Sequence, residues 1–132
     1  MRTSVLVADD DLQIVNLVRS MLTSRGYEVR TAGDAESVIA SIGARPPALV
    51  LTDLELPGMS GIELCRRLRE RSNVPIVVMS RSTDCANEVA ALDAGADDYS
   101  GGCGDRGGRD VTVPGGTFEL KPPNGWAVHD HR

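Results

Sequence analysis

Acidic residues recur where apolar runs stop. Asp9-Asp10-Asp11 follows SVLVA (4–8), Asp53 closes ALVLTD (48–53), and the hydroxyl of Ser80 closes PIVVMS (75–80). If these runs are neighbouring parallel strands, their ends share one edge, and Asp9, Asp10 and Asp53 converge beside Ser80. Carboxylates packed that closely raise one another's pKa unless a cation intervenes. A hard divalent ion such as Mg²⁺ suits the site, since it takes oxygen ligands and keeps some of its waters. With its charge offset in this way, a carboxylate can act as nucleophile towards a phosphoryl group. Asp9, Asp10 and Asp11 could instead serve only as helix caps and complements to a helix dipole. That reading explains one strand end taken alone, and not three together.

The elements that must position these groups alternate in period. After the first run, Ile14, Leu17, Val18 and Met21 fall at i, i+3, i+4 and i+7, an amphipathic helix stopped by Gly26. Glu28–Ala32 reads as a more polar edge strand. Asp34 then caps a helix with Ala35, Val38, Ile39 and Ile42 on one face, ended by Gly43 and Pro46-Pro47. After Asp53, Pro57-Gly58 signals a turn, and Ser60 and Glu63 form a capping box for a helix with Gly61, Leu64, Cys65 and Leu68 inward. Arg66, Arg67, Arg69 and Arg71 read as its solvated face. A fourth helix starts at Thr83 or Asp84, with Cys85, Val89 and Leu92 on one side, and Ala96–Ser100 makes the last strand.

Strict β/α alternation implies right-handed crossovers and a parallel sheet covered on both faces. The fold class is therefore α/β, a doubly wound, open, five-stranded parallel sheet in a three-layer sandwich. In such sheets the functional site lies beyond the carboxyl ends of the strands. The chain has 132 residues, 41% of them hydrophobic, and a formal charge of −5, values of an ordinary globular domain and a poor nucleic-acid binder. No apolar run approaches the ~20 residues of a membrane span, and the N-terminus lacks a signal-peptide pattern, so a cytoplasmic location and no membrane partner are expected.

Taken in order, V-L-V-A-Asp9-Asp10-Asp11, L-T-Asp53-L-E-L-P-G-M-S-G, P-I-V-V-M-Ser80 and A-L-D-A-G-A-D-D-Tyr99 resemble the receiver domain of bacterial two-component response regulators. The wording around Leu92–Tyr99 is most similar to the OmpR-type subfamily, and the resemblance covers residues 4–100. It implies a flavodoxin-like fold and a phosphoacceptor at Asp53, loaded by the histidine of a sensor kinase. It further implies Mg²⁺ held by Asp9, Asp10, Asp53 and the backbone carbonyl of Glu55, with Ser80 and Tyr99 as switch residues. Phosphorylation adds roughly 1.5–2 negative charges where carboxylates already crowd, so a small donor must reorient to absorb it.

The pattern departs from the family after Ser100. Gly102 stands where the resemblance calls for a lysine, and no helical period follows that would supply a fifth helix. Residues 101–132 carry eight of the chain's 14 glycines. Residues 1–100 thus read as the receiver and 101–132 as an atypical Gly/Pro-rich tail, either disordered or holding a small hairpin around Pro114-Gly115-Gly116. One fragment, Phe118-Glu119-Leu120-Lys121-Pro122, repeats the family's aromatic-x-x-Lys-Pro pattern, which makes Lys121 a candidate displaced lysine. A missing fifth helix would leave an apolar patch on one side of the sheet and an incomplete homodimer face at helix four and strand five.

Three functions follow as expectations. The first is a phosphoacceptor receiver that signals by protein–protein contact, not itself an enzyme. The second is a pseudo-receiver that binds partners without phosphorylation. The third is a Mg²⁺-dependent phosphatase passing through an aspartyl-phosphate, disfavoured because Asp53-Leu54-Glu55 lacks the D-x-D of such enzymes.

Overall fold

A computed structural model describes residues 3–80, 85–100, 110–113, 116–121 and 125–130, and from Ser100 onward it describes the backbone only. Its first hundred residues run β1 (Ser4–Ala8), α1 (Leu12–Ser24), β2 (Glu28–Ala32), α2 (Ala35–Ala44), β3 (Leu49–Asp53), β4 (Glu55–Leu56), β5 (Met59–Ser60), α3 (Gly61–Arg69), β6 (Ile76–Met79), α4 (Cys85–Asp93) and β7 (Asp98–Ser100). The long strands form one five-stranded sheet in the order β2-β1-β3-β6-β7, with every pairing parallel. The polar strand β2 lies at the edge, and strand order reverses between β1 and β3.

Side chains on successive strand residues point to opposite faces, so each strand feeds two cores. Leu6, Val50, Ile76 and Val78 pack with α2, α3 and α4 residues such as Val38, Leu64 and Ala91. Val5, Val7, Leu49, Leu51 and Val77 face the other way, with Val18 and Leu22 of α1. Burial of Ile76 and Val77 in consecutive positions explains why the strands read as continuous apolar runs rather than alternating ones.

Two helices sit differently from the pattern read in the sequence. In α1 the buried residues are Val15, Val18 and Leu22, and Leu17 is 60% exposed. The helix carries two overlapping apolar stripes, and the sheet takes the one bearing Val15. In α4 the buried residues are Glu88 and Ala91, while Val89 is 57% exposed and Cys85 is exposed. The small Ala91 side chain permits the close approach of α4 to α3 and β7.

Arginines also do more than solvate. Arg30 caps the last turn of α2 from the edge strand, donating to the carbonyls of Arg45 at 2.7 Å and Ser41 at 3.1 Å. Arg69 was expected on the solvated face of α3 but is largely covered. Its guanidinium donates to the carbonyl of Gly95 at 2.8 Å, to that of Val74, and to the Asp97 carboxylate at 2.6 Å. Arg66 and Arg67 are exposed and pair with Glu63, as a solvated face should.

Among the described residues no fifth helix follows β7. Instead β8 (Asp110–Val113), β9 (Gly116–Lys121) and β10 (Gly125–Asp130) form a separate three-stranded antiparallel sheet in the order β10-β9-β8. The apolar patch expected on one side of the sheet, at the first and last strands, is not exposed: Val5 and Val7 of β1 are fully buried, and Asp98 and Tyr99 of β7 are 3% and 7% accessible.

Candidate functional site

Register brings the acidic groups level. Ala8 pairs with Thr52, and Asp53 pairs with Met79, so Asp9, Asp53 and Ser80 arrive at one end of three adjacent strands. Together with Asp10, Asp11, Leu54 and Glu55 they line a cavity of about 310 Å³ at the carboxyl edge of the sheet. Its position beside the β1/β3 reversal is where an open α/β sheet places its ligand.

Each aspartate has a separate local task. The Asp9 carboxylate is buried and accepts from the Asp11 amide at 2.9 Å, and the Asp9 amide donates to the Ala32 carbonyl at 3.2 Å. Asp11 is the N-cap of α1 and accepts from the Gln13 amide at 2.9 Å. The capping reading is therefore correct for Asp11. Asp10 is exposed on the cavity rim.

Carboxylate oxygens of Asp9, Asp10 and Asp53 lie within 4.8 Å of one another. Asp53 is half-buried, and burial together with the charges of Asp9 and Asp10 pushes its carboxyl up to about 6, against the pull of the Glu55 and Leu54 amides. The donor set suits a hard cation: three oxygen-bearing acids within reach of one ion, one of them destabilised as an anion without it.

Two hydrogen bonds hold the backbone at Asp53 and Leu54. The Thr52 hydroxyl donates to the Asp53 carbonyl at 3.0 Å, and the Leu54 amide donates to the Met79 carbonyl at 2.8 Å. A two-residue turn at Pro57-Gly58, with Gly58 at φ +85°, closes the β4–β5 hairpin and returns the chain to Ser60. The Ser60 hydroxyl accepts from the Glu63 amide at 3.1 Å and starts α3. Thr52 had no role in the sequence reading, because its side chain acts on a carbonyl that no motif reveals.

Ser80 lines the cavity, and Tyr99 is buried, its hydroxyl without a hydrogen-bond partner among the described residues. The α4 start at Thr83 or Asp84 lies outside the described residues. So do Gly102 and the side chain of Lys121, whose backbone ends β9.

A parallel five-stranded α/β sheet with an acidic pocket at its switch point defines the class of doubly wound domains to which flavodoxin-like receivers belong. Residues 5–100 match the response regulator receiver domain, and the chain belongs to that family. It is 41% identical over 99 residues to the DNA-binding response regulator MtrA of Mycolicibacterium paratuberculosis, covering 75% of this chain and 44% of that protein. It is 46% identical over 97 residues to the transcriptional regulatory protein KdpE of Mycobacterium tuberculosis, covering 74% of this chain and 43% of that one. The chain thus spans less than half the length of these curated relatives. The N-terminal receiver domain of Klebsiella pneumoniae RstA superposes with a TM-score of 0.71 at 30% identity, covering 74% of this chain and 84% of that one.

Proposed function

We propose that the domain is a phosphoacceptor receiver in which Asp53 takes a phosphoryl group from the phosphohistidine of a sensor kinase. The observation that carries this reading is the half-buried Asp53 carboxylate, lifted to about 6, beside Asp9 and Asp10 at the carboxyl edge of the sheet. A carboxylate oxygen of Asp53 forms the new bond to phosphorus while the donor's P–N bond breaks and the imidazole leaves. Asp9, Asp10, Asp53 and the Glu55 carbonyl would hold Mg²⁺, which when bound offsets the negative charge of the phosphoryl oxygens. Asp9 is fixed by the Asp11 amide and so presents its charge without reorganisation. Ser80 is the hydroxyl assigned to meet the phosphoryl group. Tyr99, buried with its phenol unpartnered among the described residues, has a reason to move when Ser80 does.

Output passes by protein contact, including a homodimer through the face of α4 and β7. No nucleic acid is bound by this domain itself, and the location is cytoplasmic. Incubation with Mg²⁺ and acetyl phosphate is expected to add one phosphate by mass to the chain and none to Asp53→Asn. A folded, Mg²⁺-binding sample that gains no mass would remove the phosphoacceptor role.

One sequence observation favours a second reading. Gly102 stands where a lysine would pair with the phosphoryl group, and Lys121 is the only lysine available to replace it. A pseudo-receiver, binding its partner without phosphate, would keep that binding in Asp53→Ala.

A further inference from the structure

Gly61, the first residue of α3, lies against the backbone of the proposed phosphoacceptor. Its amide donates to the Leu54 carbonyl at 2.6 Å. A Cβ at this position would stand 2.4 Å from the Asp53 carbonyl oxygen, 3.1 Å from the Leu54 Cα and 3.2 Å from the Leu54 carbonyl oxygen. All three neighbours are backbone atoms, so no side chain can swing aside to make room. Gly33 and Gly43, by contrast, have nothing within 4 Å of the same position.

The need for glycine here is one of approach and not of backbone angle, since positive φ is confined to Gly26, Gly58 and Gly95 among the described residues. Opening the contact from 2.4 Å to the 3.0 Å that real Cβ atoms require moves α3 and the 53–54 backbone apart by at least 0.6 Å. The Asp53 carbonyl also accepts from the Thr52 hydroxyl and the Leu54 amide donates to the Met79 carbonyl, so relieving the clash disturbs contacts that fix the backbone of Asp53 and Leu54, next to Glu55. These residues carry one carboxylate and one carbonyl of the proposed ion site. Mg²⁺ demands near-ideal octahedral geometry with short bonds of about 2.1 Å, and tolerates displaced ligands poorly.

We infer that Gly61 is a positioning residue for the acidic pocket: the absence of a side chain lets α3 seat directly on the Asp53–Leu54 backbone and sets the placement of the Asp53 carboxylate and the Glu55 carbonyl. The inference rests on the receiver reading of Asp53 and adds to it a residue outside the acidic pocket.

The test compares Mg²⁺ dissociation constants, measured by calorimetry, for the wild type, Gly61→Ala and Ser60→Ala. Ser60→Ala weakens the same helix start by removing its cap and adds no atom near Asp53. Gly61→Ala is expected to weaken Mg²⁺ binding roughly 10–100-fold, as loss of a supporting contact does at metal sites. Ser60→Ala is expected to melt earlier while binding Mg²⁺ within about twofold of the wild type. Without metal, backbone amide resonances of Asp53 and Leu54 should shift in Gly61→Ala and stay in place in Ser60→Ala, whose own cross-strand partner is Glu55. If Gly61→Ala melts too early to assay, the comparison is repeated on a Gly43→Ala background, where the added methyl meets open space in α2 and favours the helix. Wild-type affinity and unmoved resonances in Gly61→Ala would overturn the inference, as would equal losses in both variants. A wild type that takes up no Mg²⁺ overturns the metal-binding reading, and the amide shifts then decide Gly61 alone.

Discussion

The Asp53 carboxyl is the residue on which charge, burial and chemistry meet. Its value rises from an ordinary 3.8 to about 6 because partial burial and the neighbouring charges of Asp9 and Asp10 disfavour the anion. The folded state therefore binds the proton more tightly than the unfolded chain. Stability linked to this group is present at low pH and is lost as pH rises from about 4 through about 6. Removing the charge in Asp53→Asn should raise the melting midpoint at pH 8 without Mg²⁺ by a few degrees, the scale of about 1 kcal/mol once partial solvent exposure is allowed for. That gain should shrink as pH falls below about 6 and vanish near 4, and should also shrink when Mg²⁺ is added to the wild type. Melting curves across this range check it, and a gain independent of pH would contradict the electrostatic cause. Asp53 and Asp10 were legible in the sequence because each ends or follows an uninterrupted apolar run. The separate tasks of Asp9 and Asp11 were not, since acids in one run look alike until backbone amides choose between them.

Elements show the same division between what a pattern specifies and what only packing decides. Strand positions and helix order follow directly from apolar runs and caps, and the Ser60 cap on Glu63 is present as read. The inward face of α1 was recovered in part, at Val18 and Ile14 but not Leu17, and that of α4 was not, because each helix has enough small or apolar residues for more than one stripe. Arg69 was equally hidden, since its partners are a carbonyl 26 residues away, one five residues away and an aspartate beyond α4. Asp97 in turn accepts from the Ile76 amide at 2.8 Å, so one guanidinium links the end of α3, the start of β6 and the turn after α4. Arg69→Ala leaves carbonyls and a carboxylate without this donor and should cost about 2–3 kcal/mol in urea unfolding. Lysine, a point charge without the planar fork, should restore little. Arg66→Ala provides the contrast: its exposed pair with Glu63 is worth about 0.5 kcal/mol or less, and comparable losses in the two variants would refute the clamp.

At the scale of the whole molecule, the question is what shields the α1 side of the sheet. A helix about 10 Å across spans roughly two strands set about 4.8 Å apart. Helix α1 packs on β1 and β2 at one edge. Val77 on β6 and Asp98 on β7 lie towards the opposite edge, yet Val77 is fully buried and Asp98 only 3% exposed. Among the described residues, β9 of the C-terminal sheet contacts β7, which makes that sheet the candidate for the remaining cover. The glycine-rich composition after Ser100 reads as a tail, either disordered or holding a small hairpin, because composition records flexibility and not where a backbone lies. A chain ending at Ser100 should therefore expose Val77 and its neighbours, bind a dye specific for apolar surface, and lose about 3 kcal/mol of stability, the scale of one or two buried aliphatic side chains. The acidic pocket lies at the carboxyl edge of β1 and β3, away from the lost cover, so Mg²⁺ binding by the shortened chain should persist below its melting temperature. Unchanged melting and no dye binding would show that α1 and the sheet suffice, and that the three C-terminal strands contribute nothing to the receiver core.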